Sequence, residues 1–186
     1  MRVITGRFKG RRLTTVKDNS VRPATDRVKQ VLFDVLATRM DFSGAAVLDL
    51  FAGSGSLGIE ALSRGAARVD FVEPNEEAAR CIEHNLMSLR SQDPTIVYRT
   101  DAVRFILECA LTYDLVFADP PYAYGRTEEL PGLIFHRPLV QPDGYLLIEH
   151  TAAVTFKSTD RYGVGPVKKF GRTSVTFFSH VPTNPS

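Results

Sequence analysis

Residues 46–58, Ala46-Val47-Leu48-Asp49-Leu50-Phe51-Ala52-Gly53-Ser54-Gly55-Ser56-Leu57-Gly58, join a short apolar run to a G-x-G-x-x-G loop that opens a helix predicted over 56–64. An apolar run too short for a helix and closed by glycines reads as a strand buried on both faces. Working outward, the same pattern recurs in 67–73, 95–99, 113–119 and 145–150, with helical stretches expected at 75–90, 102–111 and 127–136. Alternation of this kind predicts a parallel, doubly wound α/β sheet. Past residue 162 the pattern changes: 164–170, then Gly171-Arg172, then 173–178 read as an antiparallel hairpin added to that sheet. Before it, Thr25 can cap a helix whose apolar positions Val28, Val31, Leu32, Val35 and Leu36 share one face. Residues 2–16, basic and punctuated by Gly6 and Gly10, read as a short β-hairpin or extended arm.

The glycine loop has a chemical reading. A residue without Cβ reaches the positive φ of a tight turn and lets a nucleoside cofactor lie against backbone N–H groups. Glu73 stands 20 residues after Gly53, at the end of the second strand, where a carboxylate can accept both hydroxyls of a ribose. NAD and S-adenosylmethionine both fit these two features. Asp119-Pro120-Pro121-Tyr122, at the end of the fourth strand, narrows the choice. Proline has no N–H, so this loop offers carbonyl and carboxylate acceptors suited to an exocyclic amine, and Tyr122 offers a face for a base. At the switch point of a doubly wound sheet the first and fourth strands are neighbours, which would bring the Gly53 and Asp119 loops to one crevice.

At 186 residues, 44% hydrophobic and 24% charged, the chain suits one domain with a full core and excludes disorder or a disulfide scaffold. Cys81 and Cys109 lack a paired spacing and read as buried thiols. His84, His136, His150 and His180 lack ligand spacing, so no metal is expected. Glu149 reads as structural or peripheral. No signal peptide or membrane-spanning run is apparent, which predicts a soluble, cytoplasmic protein with a monomer as the default. The net charge of +2 is unevenly spread: residues 1–39 hold ten Lys or Arg against three Asp, a local +7 that leaves the other 147 residues at −5. Arg2, Arg7, Lys9, Arg11, Arg12, Lys17, Arg22, Arg27 and Lys29 concentrate that charge in a segment suited to a phosphate polymer. Arg22 and Arg27 could instead close over a cofactor carboxylate. A second cluster, Lys157, Arg161, Lys168, Lys169 and Arg172, would extend the surface if the ends of the chain meet.

In this order, Asp49-x-Phe51-Ala52-Gly53-Ser54-Gly55, Glu73, Asp101-Ala102 and Asp119-Pro120-Pro121-Tyr122 resemble the class I S-adenosylmethionine-dependent methyltransferases that act on exocyclic amines. RVITGRFKGRRL at 2–13, Arg22-Pro23-Ala24-Thr25-Asp26-Arg27-Val28, and FAGSGSLGIEALSRGA at 51–66 further resemble the RsmD family of bacterial 16S rRNA guanine-N2-methyltransferases, over residues 2–179. The resemblance implies a Rossmann-like sheet of seven strands, six parallel and the last antiparallel. It implies one methyltransferase domain over 1–186, with 1–24 as a basic arm and 25–180 as the core. It also implies S-adenosylmethionine as methyl donor and 16S rRNA as substrate, within the 30S subunit or an assembly intermediate. By position, Asp49, Phe51, Gly53 and Gly55 would serve the methionine and ribose end, Glu73 the ribose, and Asp101 with Ala102 the adenine. Capping of the next helix explains Asp101 equally well. Asp119, Pro120 and Tyr122 would be catalytic, and Pro121, Arg22, Thr25, Arg27, Arg7, Lys9, Arg11 and Arg12 would meet the RNA. A DNA adenine or cytosine amine methyltransferase and a non-catalytic RNA-binding assembly factor are the alternatives.

Overall fold

A computed structural model describes residues 1–16 and 26–181. Seven strands form one sheet: β1 (Ala46–Leu50), β2 (Arg68–Val72), β3 (Thr95–Tyr98), β4 (Tyr113–Ala118), β5 (Val140–Thr151), β6 (Tyr162–Phe170) and β7 (Thr173–His180). Their spatial order is β3-β2-β1-β4-β5-β7-β6. Strands β1 to β5 pair in parallel, and β7 runs antiparallel between β5 and β6. The direction reverses once, as expected. Strand order turns back at β1 and β4, where β1 pairs with both β2 and β4, so the crevice of a doubly wound sheet opens there.

The helices are α1 (Asp26–Ala37), α2 (Ser56–Ser63), α3 (Glu76–Leu89), α4 (Ala102–Glu108) and α5 (Leu130–His136). Strand alternation splits the core in two. Val47, Phe71, Phe117 and Leu147 pack with residues of α1, α2 and α3 on one face, while Leu48, Val116, Leu146 and Ile148 pack with α4 and α5 on the other. Two helices are shorter than the sequence suggests. α4 ends at Glu108 rather than 111 because Cys109 turns to extended backbone. The stretch 127–136 divides into a 3-10 turn, Thr127–Glu129, and α5, since Pro131 lacks the N–H that would continue one helix through its first turn. β5 is longer than 145–150, reaching back to Val140 through an irregularity in its pairing with β4. Cys81 is buried, but Cys109 is only partly so.

The basic N-terminal hairpin is closed by one antiparallel bridge, Arg2 to Arg12, and lies flat on the domain. Val3 and Leu13 enter the core beside α1 and α2. Glu60 of α2 accepts the Ile4 N–H at 2.7 Å and the Thr5 N–H at 3.0 Å, and the Ser63 hydroxyl accepts the Phe8 N–H at 2.9 Å. Gly6 makes this approach feasible: its φ is +84°, and a Cβ there would sit 1.8 Å from the Ser63 carbonyl oxygen. Lys29 departs from its expected place in the exposed basic segment. It is buried, its Nζ donating to the Arg2 carbonyl at 2.7 Å with the Glu60 carboxylate 3.8 Å away. The face of α1 that packs is wider than the five apolar positions suggested, and Lys29 with Phe33 belongs to it.

Candidate active site

Phe51 leaves β1 with φ +58°, a left-handed conformation that costs a non-glycine residue about 1–3 kcal/mol. The Tyr124 ring meets the Phe51 ring edge-on at 5.0 Å and holds it there. Gly53 and Gly55 follow with φ of +55° and +73°, so three of five successive residues are left-handed and the chain reverses tightly into α2. The Glu73 carboxylate braces the turn, accepting the Gly53 N–H and the Asn75 N–H, each at 2.8 Å. Asp49 accepts the Gly58 N–H at 2.9 Å and thereby ties β1 to α2. Burial raises the Asp49 pKa to about 7, aided by the nearby Glu73 charge and opposed by the Gly58 hydrogen bond.

One cleft is lined by Asp49, Phe51, Gly53, Ser56, Glu73 and Asp119, together with other residues of this loop. Met1, Thr15 and Val16 of the N-terminal segment line it as well. Asn85 of α3 secures them. Its side-chain amide donates to the carbonyls of Thr14 and Ser54, each at 3.0 Å, and its oxygen accepts the Thr14 N–H at 2.8 Å. Of the expected cofactor residues, Gly55, Asp101 and Ala102 stand outside this lining. Gly55 supplies the turn. Asp101 caps α4, accepting the N–H groups of Val103 and Arg104, and Ala102 is buried behind it.

A second cleft is lined by Asp119, Pro120, Pro121, Tyr122, Tyr124, Glu149, His150 and neighbouring residues. Asp119 borders both clefts. Its carboxyl group is held well above the ordinary carboxylate range, first by desolvation and then by the nearby Glu149 and Asp49 charges. Tyr122 is 53% exposed, its hydroxyl 3.3 Å from that of Thr173 at the start of β7. Glu149 corrects the sequence reading: it lines this cleft rather than the periphery, and burial lifts its pKa to about 7. Only the register of β5 against β4 reveals that. Glu73, Asp49, Asp119 and Glu149 thus lie at the carboxyl ends of four adjacent strands, yet among the described residues no group of three His, Cys, Asp or Glu is placed to hold a metal.

The basic residues divide by environment. Arg7 pairs with Asp93, and Arg11 donates to the Ser88 carbonyl at 2.7 Å, so both also fasten the hairpin to the domain. Lys9, Arg12 and Arg27 are exposed. Arg22, Thr25 and Lys17 lie outside the described residues, and with them the expected Thr25 cap. The second cluster falls on two sites: β6 is directed so that Lys168, Lys169 and Arg172 reach the same end of the sheet as the Asp119 loop, whereas Arg161 precedes β6 at the other end. Among the described residues no helix is long and apolar enough to cross a membrane.

A doubly wound sheet with a reversed seventh strand, a glycine loop after β1 and an acidic residue after β2 define the Rossmann-like methyltransferase class. The Escherichia coli protein yhhF, provisionally assigned as a methyltransferase, superposes with a TM-score of 0.84 over 97% of each chain at 29% identity. The family model described as "Conserved hypothetical protein 95" matches residues 1–179, and the chain belongs to that family, the RsmD family its motifs resemble. A Bacillus subtilis relative, YlbH, provisionally named an rRNA methyltransferase, is 40% identical over 162 residues, 86% of this chain and 87% of its own. Ribosomal RNA small subunit methyltransferase D of Escherichia coli is 37% identical over 134 residues, 72% of this chain and 66% of its own.

Proposed function

We propose that the protein methylates the exocyclic N2 amine of a guanine in 16S rRNA, with S-adenosylmethionine as donor. The observation that carries this reading is Asp119, the residue common to the glycine-loop cleft and the cleft formed by Pro120, Pro121 and Tyr122. The first cleft suits this donor better than a dinucleotide. Among the described residues that line it are Asp49, Glu73 and Asp119 and no Lys or Arg. Such a surface favours a sulfonium and an ammonium over a pyrophosphate. The buried Ser56 hydroxyl, with no partner among the described residues, also awaits a polar ligand there. Glu73 would take the ribose hydroxyls with the lone pairs its two backbone contacts leave free, and Asp49 and Gly53 would face the methionine end. When bound, the cofactor supplies a methyl group on positively charged sulfur.

The chain's own work is on the amine. A guanine amine is a poor nucleophile because its lone pair is delocalised into the ring. The Asp119 carboxylate and the Pro120 carbonyl would accept its two N–H groups, favouring a pyramidal nitrogen with the pair directed at the donor. Positioning of this kind supplies up to ~7–11 kcal/mol of a barrier. Asp119 then receives the proton that the amine loses. The exposed Tyr122 ring offers a stacking surface for the unstacked base, worth ~1–3 kcal/mol. Lys168, Lys169 and Arg172, brought to the same end of the sheet, would hold flanking phosphates, while the exposed Lys9, Arg12 and Arg27 would meet RNA further from the target base. The substrate is read as a protein-bound small subunit or assembly intermediate, and the enzyme as a cytoplasmic monomer.

Nucleoside mass spectrometry on small-subunit RNA from a strain lacking the protein tests the reading. One N2-methylguanosine should be missing and should return when purified protein and S-adenosylmethionine are added to those subunits. An unchanged nucleoside profile, or the appearance of N6-methyladenine or N4-methylcytosine in treated DNA, would overturn it.

A further inference from the structure

Asp119 shares its cleft with a second carboxylate. β4 and β5 pair in parallel with Ala118 beside Ile148, so the next residues on the two strands are Asp119 and Glu149. Two positions earlier, Phe117 and Leu147 point into the core on the α1–α3 face, and period-two alternation sends Asp119 and Glu149 to that face as well. Both border the cleft formed by Pro120, Pro121 and Tyr122. Neither side chain makes a hydrogen bond or ion pair with another described residue, although every other acidic group near the glycine loop is engaged by backbone N–H donors. Two adjacent carboxyl groups in a half-buried cleft, with no partner among the described residues, form an acceptor surface, and its natural complement is a pair of neighbouring N–H donors.

We propose that Glu149 determines base specificity. Its carboxylate accepts the ring N–H of the target base while Asp119 and the Pro120 carbonyl take the exocyclic amine. The edge that satisfies this arrangement carries a ring N–H directly beside an amino group. Among the four RNA bases guanine alone has it, with N1–H next to the C2 amine. In adenine and cytosine the ring nitrogen beside the amine is an acceptor, and its lone pair would face the Glu149 carboxylate. The site therefore selects by leaving the wrong base unpaired and repelled. Near neutrality the two carboxyl groups resist ionising together, since burial raises both and the Glu149 charge raises Asp119 further. Two N–H donors arriving at once relieve that penalty, which couples recognition of the ring N–H to the state of Asp119. The inference rests on the amine-methyltransferase reading above.

The test uses the full-length enzyme with small subunits isolated from a strain lacking it. Glu149→Gln keeps the size of the side chain but places an amide against the ring N–H. It should lower kcat/KM for N2-methylguanosine formation about 10- to 100-fold. Binding of S-adenosylhomocysteine, measured by calorimetry, should stay within about twofold of wild type, because Glu149 does not line the cofactor cleft. Glu149→Asp, which retains the charge on a shorter arm, should recover part of the rate and carries the same test if the Gln variant fails to fold. Wild-type kcat/KM in both variants, alongside an inactive Asp119→Asn enzyme, would overturn the role of Glu149 and leave the amine reading standing. Failure of the wild-type enzyme to form N2-methylguanosine would instead overturn the amine reading itself.

Discussion

Asp119 occupies a position where protein chemistry and protein stability oppose each other. Desolvation, Glu149 and Asp49 all disfavour its charge. A carboxyl group whose pKa is raised by folding imposes no penalty below its unfolded value, near 4, and withdraws stability as pH rises through the folded value. Asp119→Asn removes that charge at little change in size. Without cofactor the variant should therefore melt higher than wild type at pH 8, by roughly 2–4 °C for each kcal/mol recovered. Melting curves across the range should show the advantage shrinking towards pH 4, where the aspartate is already neutral. The same substitution should cost at least about 100-fold in kcat if Asp119 acts as proposed, since a neutral amide can still accept a hydrogen bond but carries no charge and cannot take the proton of the amine. At Tyr122, replacement by Ala should weaken substrate engagement by about 1–3 kcal/mol without altering cofactor affinity, a split read from KM and from calorimetry.

Among the elements, the N-terminal hairpin and the β6–β7 hairpin are placed by different means. The first is clamped through Gly6, which has no room for a Cβ against the Ser63 carbonyl. Gly6→Ala should displace the hairpin, lower stability by about 1–3 kcal/mol and weaken cofactor binding, because Met1, Thr15 and Val16 line the cleft. Chemical denaturation and calorimetry measure the two effects separately. The second hairpin is placed by direction alone: β6 runs parallel to β4, so its far end, with Lys168, Lys169 and Arg172, arrives beside the Asp119 loop. Replacing the three with Ala should leave folding intact and reduce the slope of log affinity for rRNA against log salt by about 0.7–0.9 for each phosphate no longer neutralised. An unchanged slope would place the RNA elsewhere.

In the whole molecule, Glu60 connects three parts that are distant in sequence: the hairpin through Ile4 and Thr5, α1 through Lys29, and its own helix through Arg64 at 2.9 Å. Burial lowers the Lys29 pKa, with the Glu60 charge opposing that shift. Glu60→Ala leaves a buried ammonium unpaired and two backbone N–H groups without an acceptor, and should destabilise the protein by about 3–5 kcal/mol in denaturant titration. The sequence by itself determined the strand and helix order, the glycine turn, the Asp-Pro-Pro-Tyr loop and the final reversed hairpin. Each of these follows from local rules, namely period-two burial, the freedom of glycine and the missing N–H of proline. The crevice shared by the Gly53 and Asp119 loops follows from the doubly wound pattern, whereas tertiary structure alone decided that Glu149 stands beside Asp119, that Lys29 is buried and that Asn85 ties the N-terminal segment to the glycine loop. These relations depend on strand register and on packing between segments distant in the chain, and neither is written in the local pattern of a single chain segment.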